Sequence, residues 1–225
     1  MSQKIKNALI SLSDKSGIEK ILKVLKKLEI NIISSGGTYK EIKRLGYKCH
    51  EISKYTKFDE MLDGRVKTLH PKIYAGILSK RSNKKHVREM NKKKFDFIDL
   101  IIVNFYPFQE ILRKSKNNNR IIENIDIGGP ALVRSAAKNF FHVTVVTDKK
   151  DYNYLINELI KNKGKTSLKF RENMASKAFS QTAYYDSMIS NWFNKKLNIV
   201  FPEMKTIFGK KISELRYGEN PHQKS

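Results

Sequence analysis

A parallel β-sheet covered by helices on both faces is the α/β, Rossmann-like fold that this 225-residue sequence predicts. Three observations carry it. Four apolar runs, Ala8 to Leu12, Asn31 to Ser34, Leu100 to Asn104 and Val143 to Thr147, have the length of buried strands. Segments of helical period lie between and after them, the alternation that builds parallel sheets. The chain is also 40% apolar, enough to bury a real core as one domain with extensions.

The elements follow in order. After the first strand, Gly17 to Leu28 places Ile18, Ile21, Leu22, Leu25 and Leu28 on one face and lysines on the other. Ser16 and Glu19 are spaced as a capping box at its start. Ser35-Gly-Gly37 follows the second strand, and Thr38 with Glu41 repeats the capping-box spacing for the next helix. Gly128-Gly129-Pro130 opens a helix through Asn139, with proline near the first turn where its missing N–H costs nothing. Two more helical stretches span about 148–162 and 167–194. Lys114 to Asn119 reads as a surface loop. From Phe201 the composition changes to turn signals without a core.

The net charge of +23 raises nucleic-acid binding as a function class, but only nine of the 45 basic residues are arginine, the residue whose planar fork reads phosphates and base edges. Lysines spread over helix faces (Lys20, Lys23, Lys26, Lys27) and loops (Lys92 to Lys94, Lys161 to Lys165) describe solvated surfaces rather than a groove. The expectation is therefore no nucleic-acid partner. No apolar run approaches the roughly 20 residues a membrane-spanning helix needs, which predicts a soluble, cytoplasmic chain without a membrane partner. Cys49, the single cysteine, allows no internal disulfide and reads as an inert thiol in a short strand-like piece.

In open α/β sheets ligands bind beyond the carboxyl ends of the strands. Four segments qualify there, Ser11 to Gly17, Ser35-Gly-Gly-Thr38, Asn104-Phe-Tyr-Pro107 and Asp126-Ile-Gly-Gly129, and a fifth, Gly64-Arg-Val-Lys-Thr-Leu-His-Pro71, stands out by its density of polar groups. The first two lead into helix N-termini, where unpaired N–H groups and the dipole favour an anion. The last crowds a guanidinium, an ammonium, a hydroxyl and an imidazole into one bounded loop. Each has a plain structural alternative: a turn with an N-cap, an exposed Asp14–Lys15 pair, a packed Tyr106, a capping Asp126, and a Lys138 that answers a helix dipole. Their joint occurrence at successive strand ends favours a phosphorylated metabolite and acid–base chemistry. Dinucleotide, Walker, nucleophile-elbow and zinc-helix motifs are all absent, so no catalytic metal is expected.

Taken together, and with Arg134-Ser-Ala-Ala-Lys-Asn139 and Lys177 to Asp186, these motifs closely resemble one family over nearly the whole chain: the bifunctional AICAR transformylase/IMP cyclohydrolases of purine biosynthesis. The resemblance implies a methylglyoxal-synthase-like cyclohydrolase domain over residues 1–200, then residues 201–225 as a linker and the start of a transformylase domain. It implies closure of 5-formamidoimidazole-4-carboxamide ribonucleotide to IMP with loss of water, a purine nucleotide as the small-molecule substrate, no cofactor for that step, and a homodimer.

By motif, the resemblance makes Lys67, Tyr106, Asp126 and Lys138 the catalytic candidates. Asp126 would orient or deprotonate the amide, while Lys138 and the backbone N–H groups of Ile127, Gly128 and Gly129 would face the oxyanion. Ser13, Lys15, Ser35, Gly36, Gly37, Thr38, Arg65 and Thr68 would hold phosphate and ribose, and Asn104 would position the base. His70 becomes a structural residue before Pro71.

Leu215 to Gln223 resembles the opening of the transformylase domain, in which Arg216 and Tyr217 would contact substrate phosphate. The Lys-His pair used for formyl transfer would lie beyond Ser225. The expectation is a fragment or a truncated gene product, with 10-formyltetrahydrofolate a co-substrate only of the missing domain. Methylglyoxal synthase, a regulatory phosphate-binding domain of the same fold, and a basic nucleic-acid binder are the alternatives.

Overall fold

The computed structural model describes residues 2–212, which divide into two compact units between Thr182 and Ala183. Arg216 and Tyr217 lie outside the described residues.

The first unit is built on five parallel strands: β2 (Asn7–Ser11), β3 (Asn31–Ser34), β4 (His50–Glu51), β5 (Leu100–Val103) and β6 (Thr144–Val146), in spatial order β4-β3-β2-β5-β6. Ala8, Leu9 and Ile10 of the central strand are at most 1% exposed, and all of β5 is buried. A strand covered on both faces needs a continuous apolar run rather than alternation, and that is the pattern these segments carry. The short β1 (Gln3–Lys4) and β7 (Lys165–Thr166) pair antiparallel in a separate two-stranded sheet.

Helix α1 (Ile18–Lys27) returns from β2 to β3 with Ile18, Ile21, Leu22 and Leu25 buried, as its period predicts. Its capping box does not form. Gly17 is the N-cap in the left-handed region at φ 76°, with no side-chain cap bond. Helix α2 (Gly36–Arg44) joins β3 to β4 with Ser35 at its N-cap position, so Thr38 lies inside the helix instead of ahead of it.

Five helices between α2 and Gly128 carry no clear period: α3 (Ile52–Thr56), α4 (Pro71–Leu78), α5 (Lys84–Lys93), α6 (Phe108–Lys114) and α7 (Asn118–Glu123). The loop expected at Lys114 to Asn119 shrinks to the connection between α6 and α7. Helix α5 buries only Met90, which leaves no stripe to see. Helix α8 (Gly128–Lys138) leads to β6, α9 (Tyr152–Lys161) follows a single turn of 3-10 helix, and α10 spans Leu168–Lys196. The start of α10 is tied down by the buried Arg171 guanidinium, which donates to the carbonyls of Phe140 (2.8 Å) and Phe141 (3.0 Å).

From β2 the chain passes through α1 to β3 on one side, whereas β5 and β6 lie on the other. The carboxyl ends of β2 and β5 therefore flank the point where strand order reverses, the crevice in which such sheets bind ligands. In the second unit, Asn191 donates to Thr206 O at 3.0 Å and Phe208 meets Tyr184 edge-on at 5.2 Å.

Candidate active site

Asn104, the first residue after β5, stitches the crevice together. Its Oδ1 accepts the backbone N–H of Ser13 (2.6 Å) and Asp14 (3.2 Å), and its Nδ2 donates to Asp14 O at 2.7 Å. The amide that was expected to position a base is thus occupied in holding the β2 loop. Ser13 in turn presents its carbonyl to Lys15 Nζ at 3.2 Å.

That bond turns Lys15 toward the start of α2, where its Nζ lies 3.6 Å from the position a Cβ would take on Gly37. Lys67 Nζ lies 3.4 Å from the corresponding position on Gly36. Two ammonium groups therefore converge on a helix N-terminus whose first N–H groups have no partner within the helix. Gly36 takes φ 51°, a conformation that glycine enters without a Cβ clash. Ser35 makes no side-chain cap bond, so its hydroxyl is not spent on the helix. The adjoining cleft of about 280 Å³ is lined by Ser35, Gly36, Lys40, Glu51, Phe58 and Lys67, among others.

Thr38 is placed differently from the expectation. Its Oγ1 accepts from Leu12 N at 2.8 Å and donates to Leu12 O at 3.0 Å, and the side chain is buried. The hydroxyl is fully used in locking α2 to the end of β2, leaving only the backbone for an anion. Arg65 is also turned away: its guanidinium hydrogen-bonds Glu123 at the end of α7, with both side chains exposed. His70 caps α4, accepting from Lys72 N at 3.1 Å, which is the structural role expected of it.

Thr68 and Asp126 build a second corner at the head of α8. Thr68 Oγ1 stands 2.8 Å from where a Gly128 Cβ would be, and Asp126 Oδ2 stands 2.4 Å from the same position on Gly129. Only glycine admits both groups. Asp126 Oδ1 accepts the Gly129 N–H at 2.8 Å, and the carboxylate also accepts the Tyr106 N–H. Burial pushes the Asp126 carboxyl above the usual carboxylate range, against the pull of those two donors and of the Lys67 ammonium. The Gly129 N–H is therefore committed to Asp126 and not open to an oxyanion. Tyr106 contributes its backbone, while its ring is 44% exposed. Ile127, ahead of α8, is exposed as well.

The structure does not bring Lys138 to this corner. It ends the 11-residue α8 in an exposed position, roughly 15 Å along the axis from Gly128 at 1.5 Å per residue, farther than a lysine side chain spans. Sequence reasoning missed Tyr74 in α4, whose hydroxyl is buried near Asp126. Pro71 at the first position of α4 was the available sign that a helix begins there. Burial pushes the Cys49 thiol up to about 12. Among the described residues no three His, Cys, Asp or Glu side chains gather as metal ligands, and no helix is long and apolar enough to cross a membrane.

A five-stranded parallel sheet flanked by helices, with two lysine ammoniums at the head of α2 and a buried carboxylate at the head of α8, defines an α/β domain whose polar side chains gather beyond the strand carboxyl ends. The chain belongs to the MGS-like domain family, whose model matches residues 17–131, and residues 136–225 match the model described as AICARFT/IMPCHase bienzyme. It is 48% identical over 221 residues to the bifunctional purine biosynthesis protein PurH of Bradyrhizobium diazoefficiens, covering 98% of this chain and 42% of that protein. To the protein of the same name from Persephonella marina it is 47% identical over 222 residues, covering 98% and 43%. The chain thus spans about two-fifths of the length of these relatives. A solved structure titled "Crystal structure of ForH" superposes with a TM-score of 0.75 at 31% identity, over 84% of this chain and 99% of that one.

Proposed function

We propose that this chain is an IMP cyclohydrolase, closing 5-formamidoimidazole-4-carboxamide ribonucleotide to IMP with loss of water. One observation carries the reading: Lys67 stands at the α2 N-terminus and also acts electrostatically on Asp126, so an anion cradle and a raised-pKa carboxylate share one ammonium. A nucleotide whose phosphate is held by Lys15, Ser35 and the Gly36, Gly37 and Thr38 N–H groups has its base directed toward Asp126.

The reaction needs an amide nitrogen, a poor nucleophile, to attack a formyl carbon held close by. Positioning in an intramolecular step supplies much of the acceleration. Asp126 accepts the N–H proton as the C–N bond forms, and its raised pKa makes it a stronger base than an exposed aspartate. Lys67 stabilises the negative charge that develops on the formyl oxygen and protonates it to a hydroxyl; Asp126 then returns its proton to that hydroxyl, which leaves as water while the former formamido nitrogen gives its proton to the neutral Lys67 amine and the ring C=N bond forms. Tyr106 fixes Asp126 through its N–H. Thr68 and Gly128 wall the corner, Asn104 holds the Ser13 loop, and Lys138 is a candidate on its motif alone.

The relatives are named as bifunctional, and the reading extends to a parent protein with AICAR formyltransferase activity that uses 10-formyltetrahydrofolate and draws on Arg216 and Tyr217. A homodimer in the cytoplasm completes it. Cyclisation followed by absorbance tests the central claim. Turnover above the uncatalysed rate is expected, and background activity from folded protein removes the assignment.

A further inference from the structure

Among the described residues three buried side-chain polar atoms lack a hydrogen-bond partner: Tyr55 Oη, Tyr74 Oη and Arg81 Nε. Buried polar groups are nearly always satisfied, so an unpaired one calls for a reason. Tyr55 lies beside Asp96 and Arg81 beside Asp99, away from the Lys67–Asp126 corner. Tyr74 is at the corner.

Its position follows from how α4 and α8 pack. Thr68, three residues before α4, abuts Gly128 at the head of α8. At the other end, Asn139 Nδ2, just past α8, donates to Ile77 O (2.7 Å) and Ser79 O (3.0 Å) at the end of α4. The two helices therefore run side by side in the same direction, and Tyr74, in the first turn of α4, is level with the first turn of α8. The groups acting on Asp126 are Lys67 from the loop before α4, the Gly129 N–H of α8 and the Tyr106 N–H after β5. Asp126 in turn adds to the burial that pushes the Tyr74 phenol up to about 12, so the phenol keeps its proton at neutral pH and has an O–H to donate to a ligand.

An acceptor carboxylate and a donor phenol that do not bond each other suit a ligand group carrying one N–H and one oxygen on the same carbon. We propose that Tyr74 is a further substrate-binding residue, donating its O–H to the oxygen of a primary carboxamide whose N–H is accepted by Asp126. The inference rests on the cyclohydrolase reading and deepens it. The bond fixes the carboxamide plane so that its nitrogen, not its oxygen, meets the formyl carbon. A carboxylate in the same place has no N–H to give and faces Asp126 as a like charge.

The test is calorimetric binding of two probes that lack a formyl group, 5-aminoimidazole-4-carboxamide ribonucleotide and its 4-carboxylate counterpart, to the full chain and to Tyr74→Phe. Wild type is expected to favour the carboxamide. In Tyr74→Phe carboxamide affinity falls about tenfold while carboxylate affinity holds, so the selectivity ratio drops. An unchanged ratio overturns the inference, because a tyrosine that only packs α4 alters stability and not the ratio. If Tyr74→Phe does not fold, the Tyr74 ¹³Cζ resonance of wild type reads the same bond: it shifts on saturation with the carboxamide and stays still with the carboxylate, and no shift with the carboxamide overturns the inference. Wild-type cyclisation, assayed in parallel, separates the two failures: turnover with an unchanged ratio removes Tyr74 alone, and no turnover removes the parent reading.

Discussion

Asp126 Oδ1 accepts the Gly129 N–H at 2.8 Å, and Asp126 Oδ2 stands 2.4 Å from where a Gly129 side chain would begin. The carboxylate is thus aimed by the residue three positions along the chain, and its orientation depends on that residue having no Cβ.

Gly129→Ala forces Asp126 off its present position. A misplacement of about 1 Å at a reacting group costs on the order of 100-fold in rate. Cyclisation kinetics and circular dichroism on the same sample check this: activity should fall about 100-fold in protein that keeps its helical content. A variant with wild-type turnover would show that the aim of Asp126 is irrelevant.

Asp126→Asn keeps an oxygen for the Gly129 N–H and removes the base. The rate should drop roughly 100- to 10,000-fold, the usual contribution of a positioned acid or base. In wild type kcat/KM should rise with pH through a limb set by a pKa above the usual aspartate value of about 3.9, and the variant should lack that limb. The sign for stability is opposite. A carboxyl with a raised folded-state pKa stabilises the fold fully below its unfolded pKa and loses that contribution as pH rises through the folded pKa. Asp126→Asn should therefore gain melting temperature relative to wild type between acid and neutral pH, a difference that parallel thermal scans measure.

The two lysines should separate in kinetics. Lys15→Met removes a cation that the Ser13 carbonyl holds at the α2 end and that is not among the groups acting on Asp126, so KM should rise about tenfold with kcat nearly intact. Lys67→Met also strips Asp126 of its ammonium, so kcat should fall about 100-fold or more and the acid limb should move upward. Equal effects of both substitutions on KM alone would place Lys67 in phosphate binding only.

Thr38→Val tests the β2 to α2 lock without touching charge. It leaves the buried N–H and C=O of Leu12 without the Thr38 hydroxyl, a loss of about 1–3 kcal/mol. Urea unfolding should show a lower midpoint at an unchanged slope. Stability equal to wild type would mean that Leu12 finds other partners.

Much of the fold was legible because buried parallel strands and amphipathic helices write themselves as apolar runs and stripes. β3 matches its expected limits, and β2, β5, β6, α1 and α8 fall within one or two residues of theirs. The stretch between α2 and β5 was not legible. Helix α4 is apolar on most sides, α3 is five residues long, and α5 is polar nearly all round, so none carries a period. The site followed the same division. Candidate segments next to strand ends stood out by their chemistry, while Tyr74, inside an unrecognised helix, did not.

By itself the sequence determined which elements could form, which strand ends would carry chemistry, and which family the motifs resemble, because hydrophobic period and turn chemistry are local properties of the chain. Only the tertiary structure decided what each polar group is free to do. Thr38 and Asn104 spend their side chains on the backbone beside them, Arg65 turns to Glu123, and Lys138 ends up a helix length from Asp126. Lys67 and Thr68, adjacent in the chain, serve the heads of two different helices. A hydrogen bond depends on direction and distance across the fold, and those are fixed only when the sheet brings residues far apart in sequence to the same edge.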